Sequence, residues 1–196
     1  MLKTKNDVKK FMLAGDQTEI GFDKQASLYM SLITEELIHE LLKEFDNKNL
    51  VGIADGIVDS IVVIEGLANT LELSLDEIWK HVDIITEHKT KLLTDDFIIE
   101  QIIIKYSLLR SSYRTKNVNQ IIEIMEAILV SLIRLAQTLE IPLQDVWDEV
   151  SRSNFSKVDP ESGKLIKRED GKILKGAFYF PPDIKSILIK HNLILV

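Results

Sequence analysis

Residues that break helices are scarce in this chain of 196 residues, and their distribution limits the possible folds. The sequence contains eight Gly and four Pro, and three of the Pro lie near the C-terminus, at Pro160, Pro181 and Pro182. Most of the chain can therefore continue in long helices, because Gly and Pro weaken a helix interior more than other residues do. The 45% of hydrophobic residues provide enough apolar material for a buried core.

Apolar residues recur with the helical period in several segments. Over residues 24–46 they form a wide apolar face that includes Tyr29, Leu32 and Ile33. Further helices are predicted at 50–71, from Ser74 onward, and near 94–112, 117–139 and 142–152. After these, Gly163, Gly171 and Gly176 indicate loops and a short hairpin. The predicted fold class is all-α with an irregular, basic C-terminal segment.

The composition excludes several classes of protein. The chain has no Cys, so it cannot carry a disulfide scaffold, a thiolate metal site or a cysteine nucleophile. The first fifteen residues are too interrupted by charge for a signal peptide, and no stretch approaches eighteen uncharged apolar residues. We therefore expect a cytoplasmic protein that does not interact with a membrane.

The charge is distributed unevenly along the chain. Residues 151–196 hold nine Lys and Arg against five Asp and Glu, so residues 1–150 carry a net charge of −11 within the total of −7. An acidic body of this kind repels a nucleic-acid backbone unless the basic tail does the binding, and we expect no nucleic-acid partner. A small phosphorylated ligand fits better, at a place where acidic side chains hold a cation beside the basic segment.

The helical part of the sequence also repeats itself. The aligned segments are 32–42 with 92–102, at an offset of sixty, and 67–82 with 135–150, at an offset of sixty-eight, with Trp79 and Trp147 in register. The alternative interpretation is chance similarity between amphipathic helices of similar composition. A true repeat predicts two tandem helical units that pack as a pseudo-symmetric four-helix bundle.

This interpretation gives one domain over residues 1–196. Its first helical unit spans about 24–82, its second, degenerate unit about 92–150, and the C-terminal loop segment 151–196. The second unit has Asp96, Glu100 and Glu123 at positions equivalent to acids of the first, but Ala127 stands where the first unit has Asp59.

Four acids of the first unit have matched spacing. Glu36 and Glu40 are four residues apart, and so are Asp55 and Asp59 on the next helix, so each pair shares one helix face. We expect all four carboxylates to face inward, where their repulsion requires a cation. Oxygen ligands favour Mg²⁺, or alternatively Mn²⁺, over zinc. Glu35 lies beside this set.

An alternative places the same acids on solvated faces. In that case they form ordinary salt bridges with residues such as Lys43 and Lys48, as single Glu residues usually do. His39 lies beside the acids, but a lone His on a helix is more often a structural or surface residue than a metal ligand.

Five segments together resemble a known superfamily. They are FMLAGDQ at 11–17, LITEELIHEL at 32–41, ADGIVDSIVVIEGLA at 54–68, EVSRSNFSK at 149–157 and GKLIKREDGKILKGAFYFPPDI at 163–184. In this order they resemble the MazG-like all-α nucleoside triphosphate pyrophosphohydrolases, and among these the phosphoribosyl-ATP pyrophosphohydrolase-like branch. The resemblance covers residues 1–82 and 150–196, and residues 83–150 are interpreted as an inserted second copy.

The resemblance implies a four-helix-bundle core and a reaction. Members bind Mg²⁺ through a Glu-Glu-x-x-Glu motif and a Glu-x-x-Asp motif, and they split a nucleotide between its α and β phosphates. In this chain the third acid is displaced, so either His39 or Glu40 supplies that ligand. Gly56 stands three residues before Asp59 and Gly52 three before Asp55, so the second motif is altered.

The resemblance also assigns roles to residues. Metal ligands are Glu36, Glu40, Asp55 and Asp59, and the proton acceptor is Glu35 or Glu36. The residues predicted to contact substrate are Arg152, Asn154, Lys157, Lys172 and Lys175 at the phosphates and sugar, and Gln17 at the base. The expected partner is a nucleotide, with the chain acting alone or as a homodimer. The alternative function is a catalytically degenerate helical binding or scaffold protein that retains the fold.

Overall fold

The computed structural model describes residues 2–4, 6–87, 93–169 and 171–195. Within these ranges the chain is helical, with isolated β-bridges and no β-strand. The helices are α1 (Asp7–Ala14), α2 (Lys24–Ile33), a π-helical segment (Thr34–Glu40), α3 (Leu41–Asp46), α4 (Leu50–Thr70), α5 (Leu75–Thr86), α6 (Asp95–Arg114), α7 (Val118–Thr138), α8 (Leu143–Phe155) and α9 (Ile184–Lys190). The predicted all-α fold class is confirmed, and the four-helix-bundle arrangement stays a prediction.

The chain forms two compact units, and one is inserted in the sequence of the other. The outer unit consists of Leu2–Glu72 and Pro142–Val196, and the inner unit contains Leu73–Ile141. These two units are defined by packing. The predicted helical units at 24–82 and 92–150 are defined by the sequence repeat, and their bounds differ from those of the packed units. The common origin of the two units therefore stays a prediction.

Helix α4 is the core of the outer unit. It packs against α1, α2, the π-helical segment, α3, α8 and α9. Its residues Ile57, Ile61 and Ile64 are completely buried, as is Leu67. A helix surrounded in this way is apolar almost all round, which explains why its sequence shows little amphipathic pattern.

The segment from residue 24 to residue 46 is one continuous helical run, as its periodicity predicted. Asp23 begins it by accepting hydrogen bonds from the backbone N–H groups of Gln25 and Ala26. Its middle, Thr34–Glu40, is π-helical rather than α-helical. The i→i+5 bonds of a π-helix widen the turn and are frequent at functional sites. This π-helical segment was not predicted from the sequence.

The C-terminal segment is held to α8 and α2. Antiparallel bridges join Val158 to Leu165 and Lys167 to Ile173, in the region where a short hairpin was predicted. Ser153 Oγ donates a hydrogen bond of 2.8 Å to the Phe180 carbonyl. The segment ends in α9, a short helix that was not predicted from the sequence.

The inner unit is built on a helical hairpin. Helices α6 and α7 pack along each other after a short turn, and α5 packs against α7. Arg134 Nη2 donates a hydrogen bond of 2.6 Å to the Ile85 carbonyl, and Gln137 Nε2 donates one of 3.2 Å to the Thr86 carbonyl. These bonds use carbonyl groups at the end of α5, which lack partners within the helix itself.

Helices α4 and α7 resemble each other in length and in their ends. Each has 21 residues. A Lys with left-handed backbone precedes each helix, Lys48 at φ 55 and Lys116 at φ 54, and a Glu with left-handed backbone follows it, Glu72 at φ 54 and Glu140 at φ 57. These positions are the ones that the offset of sixty-eight aligns.

The structure also bears on the expected absence of membrane contact. In the described part of the chain, no helix combines the length and the low charge needed to span a bilayer.

Candidate functional site

Three of the predicted acids lie together in the outer unit. Glu36 comes from the π-helical segment, and Asp55 and Asp59 lie one turn apart on α4, which packs against that segment. All three side chains are half-buried. The sequence therefore predicted the elements and the spacing that bring these carboxylates together.

Burial and mutual repulsion raise the pKa of each of these acids. Burial raises the pKa of Glu36 to about 7, with further contributions from the charges of Glu35, Glu40 and Asp55. Burial raises the pKa of Asp55, and it raises that of Asp59 well above its usual value, where Asp55 and Glu36 add to the effect. Such values are typical of acids that share a site without enough compensating positive charge.

Two lysines of the C-terminal region face these acids. The positive charges of Lys157 and Lys175 act against the raised pKa values of both Asp55 and Asp59. Burial lowers the pKa of Lys157, and the charges of Asp59, Glu36 and Asp55 oppose this. In the described residues no salt bridge at contact distance joins either lysine to these acids.

Lys157 is held in place by its neighbours. Its Nζ donates a hydrogen bond of 2.6 Å to Asn154 Oδ1, from the last turn of α8. The same Nζ lies 5.8 Å from the ring centre of Phe11 and 5.9 Å from that of Tyr179. Lys175 Nζ lies 4.7 Å from the ring centre of Tyr179. The aromatic rings thus support both ammonium groups beside the acids.

Lys172 contacts the acid that precedes Glu36. Its Nζ donates to both carboxylate oxygens of Glu35, at 2.6 and 2.8 Å. The charge of Lys172 also lowers the pKa of Glu36 against the effect of burial. The three lysines that the resemblance assigned to phosphate binding, Lys157, Lys172 and Lys175, are therefore all near the acids.

The expectation that Glu40 faces inward is wrong. Its side chain is 50% exposed and forms a salt bridge of 3.0 Å with Lys43, as the alternative interpretation of these acids expected. The wider π turn moves Glu40 around the helix axis relative to the α-helical position on which the prediction rested. His39 is also exposed, so neither candidate for the third ligand faces Asp55.

Arg152 contacts other residues of the outer unit rather than the acids of the site. It forms a salt bridge with Glu149, and its guanidinium lies 4.2 Å from the ring centre of Phe180. Glu149 in turn accepts a hydrogen bond of 2.7 Å from the backbone N–H of Asp183. Arg152 therefore fastens the C-terminal segment to α8 in this structure, and its predicted contact with phosphate stays a prediction.

Gln17 is buried and bonded to the protein. Its Oε1 accepts a hydrogen bond of 3.0 Å from the hydroxyl of Tyr29, and its Nε2 donates one of 3.5 Å to the Gly171 carbonyl. These contacts hold the chain just before Lys172 against α2. They give Gln17 a positioning role, and its predicted contact with a base stays a prediction.

Sequence reasoning missed one acid beside the site. The carboxylate of Glu44 lies over Gly52, so close that a Cβ at residue 52 would stand 2.5 Å from Glu44 Oε2. Its charge raises the pKa of Asp55. The signal that could have found it is Gly52 itself, because a glycine inside a helix often marks a close approach of another group.

The equivalent acids of the inner unit form no comparable group. Asp96, Glu100 and Glu123 are all exposed to solvent. The half-buried acids and their lysines are thus found in the outer unit.

The chemistry of the three half-buried acids suits a hard divalent cation, because each offers carboxylate oxygens. The side chains as they stand do not form a finished coordination shell. Among the described residues, no three His, Asp or Glu side chains are placed to hold one ion together. A metal at this site therefore remains a proposal that rests on the donors and their raised pKa values.

Comparison with known proteins does not add a family assignment. No family model matches the chain, and no curated protein or solved structure matches it.

Proposed function

We propose that this chain is a metal-dependent nucleotide pyrophosphohydrolase. It cleaves a ribo- or deoxyribonucleoside triphosphate, or a related nucleotide, between the α and β phosphates and releases a monophosphate and pyrophosphate. One observation supports this most strongly. Half-buried acids face the half-buried Lys157 and the exposed Lys175 in one site, yet in the described chain no salt bridge at contact distance links Lys157 or Lys175 to Asp55 or Asp59.

This arrangement matches the charges of a nucleotide bound with a cation. Carboxylates in a low-dielectric site are costly unless a cation compensates them, and buried ammonium groups likewise need an anion. A polyphosphate bound to Mg²⁺ or Mn²⁺ supplies both at once. The mixed charge of the site therefore favours a phosphorylated ligand with a metal over either component alone.

The acids would bind the metal and act as a general base. Glu36, Asp55 and Asp59 are the proposed ligands, and bound Mg²⁺ would supply Lewis-acid polarisation of a phosphoryl oxygen. Glu36 or the adjacent Glu35 would accept the proton of the attacking water, and before a metal binds burial raises the pKa of Glu36 to about 7. A general base works best when its pKa lies near the working pH.

The lysines would bind and neutralise the phosphates. Lys157 and Lys175 present ammonium groups next to the acids, and Asn154 fixes Lys157 through the bond of 2.6 Å. Cations held next to the negative charge that develops in a transition state account for a large part of the rate enhancement of many enzymes. Lys172 would orient Glu35 and keep the C-terminal segment near the reacting group.

Incubation with a panel of dNTPs and NTPs plus Mg²⁺, with detection of pyrophosphate, tests this proposal. We expect Mg²⁺-dependent pyrophosphate and monophosphate from at least one nucleotide. Lys157→Ala should lower kcat/KM about 100-fold. The matched control is Lys164→Ala, an exposed lysine of the same segment, which should keep the wild-type rate. Equal loss in both variants would contradict the assigned role of Lys157.

A second candidate is a helical binding or scaffold protein without catalysis. The outward Glu40 and the lack of three side chains placed to hold one ion in the described chain favour it. The same assay separates the two candidates. Absence of turnover with every nucleotide, and of any shift in Tm on adding Mg²⁺ or Mn²⁺, would support the scaffold. A cytoplasmic location and the lack of a nucleic-acid partner remain part of the proposal.

A further inference from the structure

One aromatic ring of the C-terminal segment lies near both lysines that face the acids. The ring centre of Tyr179 is 4.7 Å from Lys175 Nζ and 5.9 Å from Lys157 Nζ. An ammonium group within about 6 Å of a ring centre is attracted by the negative face of the ring. Lys157 directly follows α8, whereas Lys175 lies beyond the two antiparallel bridges. Tyr179 thus links two charged groups from different parts of the C-terminal region.

A turn of the backbone brings Tyr179 to this position. Its N–H donates a hydrogen bond of 3.2 Å to the Gly176 carbonyl, so the chain folds back and places the ring beside Lys175. The same turn lies against the backbone of Lys157, because a Cβ at Gly176 would stand 3.5 Å from the carbonyl oxygen of Lys157.

The residue after Tyr179 is anchored at the end of α8. The N–H of Phe180 donates a hydrogen bond of 3.1 Å to Ser156 Oγ, and the Phe180 carbonyl accepts one of 2.8 Å from Ser153 Oγ. The backbone beside the ring is therefore fixed by bonds that do not involve either lysine.

The ring is the part of Tyr179 that makes these contacts. Within the described ranges, the Tyr179 hydroxyl forms no hydrogen bond with the protein. The neighbouring Phe178 is 54% exposed, and no ammonium or guanidinium group of a described residue lies over its ring. The two adjacent aromatic residues therefore differ in their relation to the lysines.

The two ammonium groups repel each other. Burial lowers the pKa of Lys157, and the charge of Lys175 lowers it further. An anion with several charges relieves this repulsion when it binds both groups. A lysine side chain loses rotational freedom when it binds a ligand, and a contact that already restricts the side chain reduces this cost. The ring therefore prepares both lysines for one anion.

We infer that Tyr179 is a positioning residue for the phosphate chain of the substrate. Its ring holds the ammonium groups of Lys157 and Lys175 next to each other, so that both bind the same chain of phosphates. This inference rests on the proposed function, from which it takes the nucleotide as substrate. It adds that the ring sets the geometry of the lysine pair, and that a triphosphate depends on Tyr179 more than a monophosphate does.

Steady-state kinetics of the full chain, with a nucleotide that the wild type hydrolyses, test the inference. Tyr179→Leu removes the ring, and its KM should rise about fivefold. Its kcat should stay within about twofold, because the lysines hold the phosphates both before and during the reaction. Tyr179→Phe retains the ring and should keep the wild-type KM.

Phe178→Leu is the matched control and should also keep the wild-type KM, since it removes an adjacent ring that no cation of a described residue contacts. An unchanged KM in Tyr179→Leu would overturn the inference. A rise in Tyr179→Phe or Phe178→Leu as large as that in Tyr179→Leu would overturn it as well.

A double-mutant cycle tests whether Tyr179 acts through the lysine pair. In the Lys175→Ala background, Tyr179→Leu should raise KM less than it does in the wild type, because one of the two ammonium groups is already absent. A purely structural role of the ring would give the same rise in both backgrounds, and that result would contradict the positioning role.

Equilibrium binding separates this inference from the proposed function. In calorimetric titrations with a non-hydrolysable nucleoside triphosphate and Mg²⁺, the Kd of Tyr179→Leu should exceed that of the wild type about fivefold, with a smaller difference for a nucleoside monophosphate. Equal Kd values for the triphosphate would overturn the inference alone. A wild type that binds the analogue but hydrolyses no nucleotide would contradict the proposed function, and the fivefold difference would still support the positioning role. A wild type that binds no nucleotide would contradict both.

Discussion

Lys172 donates to both carboxylate oxygens of Glu35, at 2.6 and 2.8 Å, across 137 positions of sequence. The pair ties the C-terminal segment to the helical segment that carries the acids. Because Glu36 is the next residue, the ammonium group of Lys172 also lowers the pKa of Glu36 against the effect of burial. The position of the C-terminal segment is thus linked to the proton affinity of the site.

Removing this lysine should change the pH dependence of the reaction. In Lys172→Ala the pKa of Glu36 rises further, because one of its stabilising charges is lost. The acidic limb of the kcat/KM profile for pyrophosphate release should then move to higher pH. Lys185→Ala, an exposed lysine on α9, is the control and should leave the profile in place. An unmoved acidic limb in Lys172→Ala would contradict the link.

The stability of the metal-free protein should fall as pH rises. The folded state holds the pKa of Glu36 at about 7, above its ordinary 4.5, so between these values the folded state binds more protons than the unfolded state. Stability is then lost as pH rises through this window, and the raised pKa values of Asp55 and Asp59 act in the same direction.

The substitution Glu36→Gln should remove part of the stability loss that the metal-free protein shows as pH rises. At pH 8 we expect the free energy of unfolding of this variant to exceed that of the wild type by about 1 kcal/mol, or roughly 2–4 °C in Tm. This value is reduced because the carboxylate is partly exposed and solvent screens its charge. At pH 5 the two proteins should be similar. Thermal unfolding without metal at both pH values is the measurement, and a variant less stable at pH 8 would show that the buried charge of Glu36 is not what destabilises the wild type.

Two helical glycines of α4 should respond differently to Ala. A Cβ at Gly66 would overlap the buried ring of Tyr29, whereas at Gly52 it would meet the carboxylate end of Glu44. The ring cannot move without disturbing the core, so Gly66→Ala should cost about 1–3 kcal/mol. Glu44 can swing away, and the higher helix propensity of Ala offsets much of the disturbance. Chemical denaturation should show the larger loss in Gly66→Ala, and equal losses would contradict this packing.

Arg152 should matter less to catalysis than Lys157. Its contacts with Glu149 and Phe180 fasten the C-terminal segment. The charge of Lys157, in contrast, lowers the pKa of Asp59 against the effect of burial. We expect Arg152→Ala to lower Tm slightly and kcat/KM by less than about tenfold. Pyrophosphate assays of Arg152→Ala and Lys157→Ala under the same conditions compare the two losses of kcat/KM. A larger loss in Arg152→Ala than in Lys157→Ala would support the predicted contact of Arg152 with phosphate.

Long segments that are apolar or amphipathic made most of the helices predictable. The helix predicted at 50–71 starts at the same residue as α4 and ends one residue later, and the helix predicted at 117–139 extends one residue beyond α7 at each end. Burial of long apolar segments dominates the folding of both helices. The helices α1 and α9 were not predicted. They have eight and seven residues, so their patterns are too short to stand out from loop sequence.

The site was predictable only in part. Asp55 and Asp59 share a face because α4 is a regular helix, and this spacing could be calculated. Glu40 was misplaced because the π turn changes the angular step, and nothing in the sequence signals that change. The contact between Arg152 and Phe180 depends on how the long irregular C-terminal segment folds back onto α8. Local periodicity of the sequence cannot predict such a contact.

Titration with Mn²⁺, followed by electron paramagnetic resonance at pH 8, tests most directly whether Glu36, Asp55 and Asp59 form a site for a divalent cation. We expect the wild type to bind Mn²⁺, Glu36→Gln and Asp59→Asn to lose most of this binding, and the exposed control Glu40→Gln to retain it. A wild type that binds no Mn²⁺, or variants at Glu36 and Asp59 that bind it as the wild type does, would contradict the proposed metal site.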